Sequence, residues 1–191
     1  MKSITYVTGN PGKFDEVSHF IAEQAPHINL VQFDCDLPEL QSSDQHAIAL
    51  QKAYHAWSIL KKPLLVDDSG IYFEEYNEFP GTMTKFVFDG IGFDGIHALT
   101  AVNNKAFFKL HLVYIDESGT AHVFESRVYG TIVRPTDYYF QPGFPYNAIF
   151  KPEGSDVTYA QSYSSSTPET YSYRIKAVAA FLDWLSSNAA N

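Results

Sequence analysis

Two short stretches combine residue types that can do chemistry. The first is Thr8-Gly9-Asn10-Pro11-Gly12-Lys13, which follows the β-favouring run Ile4-Thr5-Tyr6-Val7 and precedes Phe14, Val17, Phe20 and Ile21 at helical spacing. The pattern predicts strand, tight turn and helix N-terminus, with Pro11 at the first helical position, where a missing N–H costs nothing. N–H groups at such a terminus lack intrahelical partners and carry partial positive charge. Glycines let a ligand approach the backbone, and Lys13 adds a full charge. Together these suit an anion, with phosphate the ligand class. The same residues also suit an ordinary strand-to-helix turn, and the spacing is not that of a Walker loop. The second stretch is Leu64-Leu65-Val66 running into Asp67-Asp68-Ser69-Gly70. Carboxylates at a strand end can hold Mg²⁺ against phosphate oxygens, and one can act as a base toward water. Neighbours on an ideal strand face opposite sides. Ser69-Gly70 predicts a turn that would bring both acids to one ligand; an ordinary solvated Asp-Asp-Ser-Gly turn fits the same letters.

The elements that must position these groups follow from periodicity. Asn29 to Phe33 reads as a strand. Residues 44 to 61 read as a helix with Ile48, Ala49, Ala53, Ala56, Trp57 and Leu60 near one face, stopped by Pro63. Shorter helices are predicted over Thr82–Phe88 and Asp94–Val102. Phe108, Leu110, Leu112 and Tyr114 alternate with Lys109, His111 and Val113, Glu117-Ser118-Gly119 turns the chain, and His122 to Val133 returns as a second strand. Ser162 to Thr167 reads as an exposed loop. Ser166-Thr167-Pro168-Glu169 resembles a capping box, ahead of a helix with Ile175, Val178, Ala179, Leu182 and Leu185 on its buried stripe. Early βαβ-like units plus a long hairpin give an α/β class with a mixed twisted sheet, a long β-hairpin and flanking helices.

Composition narrows the function classes. A chain of 191 residues suits one domain, here residues 1–191. A net charge of -9 argues against binding a nucleic-acid polymer, yet leaves room for a nucleotide whose phosphates meet a local lysine cluster or a divalent cation. The single cysteine, Cys35, cannot form an internal disulfide, which fits a reducing compartment. No charged-then-apolar leader and no apolar run of membrane length is present, so no membrane partner and a cytoplasmic location are expected.

Read in order, the stretches resemble the inosine triphosphate pyrophosphatase family, the Ham1-like enzymes that remove deaminated purine nucleotides such as ITP and XTP. The likeness runs through Thr8-Gly9-Asn10 with Lys13, Gln51-Lys52-Ala53, Leu65-Val66-Asp67-Asp68-Ser69-Gly70, Phe79-Pro80-Gly81, Gly143-Phe144 with Phe150, Thr158-Tyr159-Ala160, and Ser172 with Arg174. It implies two lobes around a central cleft, a homodimer, and Mg²⁺-dependent cleavage of a nucleoside triphosphate to monophosphate and pyrophosphate. It also implies residue roles. Thr8, Gly9, Asn10 and Lys13 would cradle the triphosphate. Asp68 would be metal ligand and catalytic acid–base group, with Asp67 assisting or holding a second metal position. Ser69 would lie against substrate, Phe144 would stack on the base, Tyr146 and Asn147 would complete the base pocket, and Arg174 would reach base or phosphate.

The departures are as specific. The family's metal-binding glutamate before the central helix aligns with Ala47, leaving Asp44 and His46 as neighbouring substitutes. The base-pocket motif Phe-Gly-Tyr/Trp-Asp-Pro becomes Phe144-Pro145-Tyr146-Asn147-Ala148, Ser-His-Arg becomes Ser172-Tyr173-Arg174, and a lysine aligns near Pro168. Asn147 brings two donors where an ionised Asp offers only acceptors, so base preference is the property expected to shift. Besides an active pyrophosphatase, a nucleotide-binding protein with little turnover and a hydrolase of another phosphorylated metabolite fit these letters.

Overall fold

The computed structural model describes residues 2–139, 141, 143–162 and 172–188. Six strands form one mixed sheet in the order β2-β1-β3-β4-β5-β6: β1 is Lys2–Val7, β2 Ile28–Phe33, β3 Leu64–Phe73, β4 Lys105–Ile115, β5 Ala121–Ile132 and β6 Phe150–Pro152. The helices are α1 Pro11–Gln24, α2 Gln45–Leu60, α3 Thr84–Leu99, the single turn α4 Tyr159–Ser162, and α5 Tyr173–Asn188. The chain divides into two compact units. One comprises Met1–Asp68, Leu110–Ser126 and Arg174–Asn191; the other comprises Ser69–Lys109 and Arg127–Tyr173. Among the described residues no helix is long and apolar enough to cross a membrane.

In the first unit, β1 pairs in parallel with β2 (Ile4 opposite Leu30) and with β3 (Tyr6 opposite Leu65). Such strands are covered on both faces, and the buried runs Ile4–Val7 and Leu64–Asp67 reflect it. The small residues Ala49, Ala53 and Ala56 let α2 lie close to Leu64, Val66, Val113 and Ile115. Lys61 ends α2 in the left-handed conformation, two residues before Pro63. In α5 the buried stripe includes Ile175, Val178 and, deeper than Leu182 or Leu185, Phe181. The expected capping box at Ser166–Glu169 lies outside the described residues, as does the proposed loop beyond Ser162.

At the end of β3 one expectation is corrected. The chain does not turn at Asp67–Gly70; β3 continues to Phe73. A Cβ on Gly70 would sit 2.3 Å from the Gly81 carbonyl oxygen, so glycine here permits close packing of extended backbone rather than a turn. The Ile71 N–H donates to Thr84 Oγ1 (2.9 Å), which fastens the strand to the next segment. The two helices expected over Thr82–Phe88 and Asp94–Val102 form as the two parts of α3, which follow a 3₁₀ turn at Gly81–Met83 and are parted by a kink of non-helical backbone at Gly92, with φ of 58°. Phe108, Phe150, Tyr159 and Tyr173 form an aromatic core, Tyr173 stacking on Phe108 at 4.6 Å between ring centres. That contact gives Tyr173, the replacement for a family histidine, a packing role.

Candidate active site

Because β3 stays extended, alternation sends the two aspartates to opposite sides. Asp67 enters a buried cluster. Its Oδ1 accepts from Lys13 Nζ at 3.1 Å and its Oδ2 from Arg174 Nε at 3.0 Å. Arg174 Nη1 also reaches Glu16 Oε2 at 2.6 Å. The Asp67 and Arg174 side chains are each 2% exposed, and Lys13 is 20% exposed. Burial alone would raise the Asp67 pKa, but Lys13 and Arg174 outweigh it and hold the carboxyl well below the usual range. Burial lowers the Lys13 pKa against the pull of Asp67. The Tyr6 hydroxyl lies in the same cluster, and burial followed by the Asp67 charge push its pKa up. The expectation of a second metal position at Asp67 thus meets a carboxylate whose two oxygens are both engaged by cations, with almost no surface left for a further ligand.

Asp68 is different. Its Oδ1 accepts from Lys52 Nζ at 3.3 Å, and the same ammonium reaches Glu39 Oε1 at 2.8 Å. Burial raises the Asp68 pKa even with Lys52 beside it, which makes it the stronger base of the pair. For Lys52 the balance runs the other way: burial lowers its pKa, but Asp68 and Glu39 more than compensate. Neither Lys52 nor Glu39 stood among the expected site residues, although Lys52 lies within the quoted Gln51-Lys52-Ala53 motif. Glu39 had no signal beyond being a carboxylate close before α2. The proposed substitutes for a glutamate at position 47 are occupied elsewhere. Asp44 caps α2, its Oδ1 accepting from the Ala47 N–H at 3.1 Å, and His46 packs edge-on against His111 at 5.5 Å. The carboxylate that shares a cation with Asp68 is Glu39. Among the described residues no group of three or more metal-ligating side chains occurs. Glu39 and Asp68 nonetheless offer two hard oxygens around the ammonium of Lys52, a donor set that fits Mg²⁺, which takes few protein ligands.

The glycine-rich loop is built as expected, but its helix end is not open. Asn10 caps α1, and its Oδ1 accepts from the N–H groups of Gly12 (3.0 Å) and Lys13 (3.3 Å). Thr8 Oγ1 accepts from the Asn10 N–H at 3.2 Å. The side chain of Asn10 therefore satisfies the donors that were expected to meet an anion. The positive charge at this end comes from Lys13, with the exposed Gly9 as the open stretch of backbone. A Cβ on Gly9 would come 2.6 Å from Asp34 Oδ1, so that glycine is also explained by its neighbour.

The expected base-pocket residues Phe144, Tyr146 and Asn147 lie in the second unit, which also begins with Ser69, the residue after Asp68. Ser69 is half-buried within β3. Phe144 is half-buried and precedes the 3₁₀ turn Pro145–Ala148. Tyr146 is buried, its ring T-shaped to Phe88 at 5.5 Å and its hydroxyl donating to the Thr84 carbonyl at 3.2 Å. Burial raises its pKa. Both ends of Tyr146 are thus used in packing. Asn147 is 5% exposed and its Nδ2 donates to Gln141 Oε1 at 2.9 Å. Pro168 lies outside the described residues.

With this geometry in place, comparison with known proteins gives a consistent result. A family model described as the Ham1 family matches residues 4–184. A dITP/XTP pyrophosphatase from Methanopyrus kandleri is 34% identical over 98% of this chain and 98% of its own length. An inosine triphosphate pyrophosphatase from Batrachochytrium dendrobatidis is 32% identical over 99% of this chain and 97% of its own. The structure of the Staphylococcus aureus Ham1 protein superposes with a TM-score of 0.77 at 23% identity, covering 98% of this chain and 100% of that one. Two full-length relatives above 30% identity, a family match across nearly the whole chain and the shared mixed-sheet fold lead to one conclusion: this chain belongs to the Ham1 family.

Proposed function

We propose that this protein is a Mg²⁺-dependent nucleoside triphosphate pyrophosphatase that converts deaminated purine nucleotides, such as ITP, dITP and XTP, to monophosphate and pyrophosphate. The observation that carries the proposal is the division of labour between adjacent aspartates. Asp67 is locked between Lys13 and Arg174, while Asp68, its pKa raised by burial, shares Lys52 with Glu39. One acid organises cations and the next serves as a base. The full-length relatives, a dITP/XTP pyrophosphatase and an inosine triphosphate pyrophosphatase, support the same reaction.

In this mechanism Lys13 and Lys52 bind the triphosphate, Lys13 held in place by Asp67 and Lys52 by Asp68 and Glu39. Asp68 accepts a proton from the attacking water as the water oxygen bonds to phosphorus and the anhydride bond between the α and β phosphates breaks. The pyrophosphate leaves with the bond's electron pair, and the two lysines stabilise the negative charge that develops on it. Glu39 and Asp68 would hold Mg²⁺, which neutralises phosphate oxygens and polarises the reacting group when bound. Arg174 keeps Asp67 ionised and orders the start of α5. The family resemblance assigns stacking on the base to Phe144 and contact with its edge to Asn147. We extend the proposal to a homodimer in the cytoplasm, on the family resemblance.

Steady-state pyrophosphate release across ITP, dITP, XTP, GTP and ATP, with and without Mg²⁺, tests the proposal. Mg²⁺-dependent pyrophosphate from the deaminated nucleotides is the expected result. Tight nucleotide binding without release would replace it with a binding protein. Orthophosphate as the only product would replace it with a different phosphohydrolase.

A further inference from the structure

We infer that Lys52 is a built-in competitor of the metal. Its ammonium holds Glu39 and Asp68 in the free protein and yields them to Mg²⁺ only when a polyphosphate chain takes the ammonium over, so that metal and nucleotide bind cooperatively. The inference rests on the proposal above that Lys52 meets phosphate and that Glu39 and Asp68 hold Mg²⁺.

The groups concerned all lie in the first unit. Lys52 Nζ donates to Glu39 Oε1 at 2.8 Å and to Asp68 Oδ1 at 3.3 Å. The two carboxylates of the metal's donor set therefore converge on a cation that belongs to the chain. An ammonium has three donors and no acceptor, so one donor remains for a further oxygen. A metal ion set between the same carboxylates would displace the ammonium from them and stand beside it. A dication repels an ammonium twice as strongly as a monocation does at equal distance. Solvent and salt screen that repulsion weakly, because the Lys52 and Asp68 side chains are each 14% exposed. Lys13 lies close enough to feel the Lys52 charge, so the metal would enter beside two ammonium groups. A polyphosphate changes the balance. Its oxygens give Lys52 new acceptors, and its charge offsets that of metal and lysines together. It also completes the metal's shell, since two carboxylates leave most positions on Mg²⁺ to other oxygens. The part free to move is Glu39. Its side chain is 61% exposed, on the segment between β2 and α2, whereas Lys52 and Asp68 are carried by α2 and β3. Glu39 can pass from the ammonium to the metal without unpacking the core. The coupling is reciprocal: the factor by which nucleotide raises metal affinity is the factor by which metal raises nucleotide affinity.

The test measures metal binding without turnover. Mn²⁺ alone is titrated into the full-length wild type, Lys52→Met, Lys52→Gln, Lys52→Arg, and Lys52→Met combined with Glu39→Gln. Bound ion is read by electron paramagnetic resonance and folding by circular dichroism. Lys52→Met should bind Mn²⁺ about tenfold more tightly than the wild type, inside the roughly 5–150-fold range of typical couplings. Lys52→Gln, also neutral, should do the same and serves if the methionine variant does not fold. Lys52→Arg keeps the charge and should stay within about twofold of the wild type. The combined variant lacks one carboxylate and should lose the gain. Calorimetry with the uncleavable α,β-methylene analogue of ITP gives a second readout. The wild type should bind it at least about fivefold more tightly with Mg²⁺ than with EDTA, and the ratio should shrink in Lys52→Met. Mn²⁺ affinity that is unchanged or lower in the folded neutral variants overturns the inference. So does an equal gain in Lys52→Arg, a gain that persists in the combined variant, or equal analogue binding with Mg²⁺ and EDTA in the wild type. Pyrophosphate release from the wild type judges the activity separately. Release without the Mn²⁺ gain upholds the activity and overturns the inference; the gain without release does the reverse.

Discussion

Replacing Asp67 by asparagine probes the centre of the cation cluster without changing its shape. The substitution removes the negative charge that faces Lys13 at 3.1 Å and Arg174 at 3.0 Å, and the new amine sits against a donor at one of these contacts. Breaking a buried ion pair by removing one partner costs about 3–5 kcal/mol. Two features place this case near the low end: Lys13 is one-fifth exposed and can turn its ammonium toward water, and Arg174 keeps Glu16. A loss of about 3 kcal/mol is therefore expected, a large part of the roughly 5–15 kcal/mol that stabilises a typical domain. With a urea slope of about 2 kcal/mol/M, the unfolding midpoint should fall by about 1.5 M at unchanged slope. The sign of the pH dependence follows from the depressed Asp67 pKa. Its contribution is complete above the unfolded value near 4 and is lost as pH falls through the folded value. Urea titrations of both proteins at pH 7, 5 and 3 should show a constant gap at the upper two values and a smaller one at pH 3. A loss below about 1 kcal/mol at pH 7, or a gap that ignores acid, would show that Asp67 is not the ionised centre of the cluster.

Four further outcomes test the site itself. Asp68→Asn should fold normally and lose nearly all turnover, and in the wild type the rate should fall as pH drops through the raised Asp68 pKa; Lys52→Met should move that acid limb to higher pH, and an unmoved limb would remove Asp68 as the base. Lys13→Ala should weaken triphosphate binding far more than nucleoside binding in calorimetry, since the lost contact is to phosphate charge; equal losses would place Lys13 away from phosphate. Glu39→Gln should weaken Mn²⁺ binding measured by electron paramagnetic resonance, whereas Asp36→Asn, the same charge change on the same loop, should not. Ala47→Glu, at the third position of α2 beside the Asp44 cap, should leave metal affinity unchanged; a gain there would return the metal position to residue 47.

Local pattern was enough to predict most of the scaffold. The helical spacing after Pro11, the apolar face of residues 44 to 61, the stop at Pro63 and the alternation on both sides of Glu117–Gly119 each express a preference that a short segment carries by itself, and each element formed where it was expected. The ordered motifs likewise carried the family resemblance. The same local logic failed at Gly70 because glycine has two uses, and only the Gly81 carbonyl pressed against it shows that this one serves close packing. It failed at Asn10 because a helix end looks the same in sequence whether its donors are open or already capped. The division between Asp67 and Asp68 could not be read from adjacent letters. It depends on which side of β3 each faces and on partners far along the chain: Lys13 and Arg174 stand 54 and 107 residues from Asp67. Glu39 gained its place only when the segment before α2 brought it to Lys52, and the contact of Asn147 with Gln141 likewise depends on the fold of its turn. Residue types and periodicity determined which groups this protein has and which elements carry them. Contacts between distant segments decided which of those groups are buried, charged and paired, because burial and Coulomb energy depend on distance in space, which the sequence order does not record.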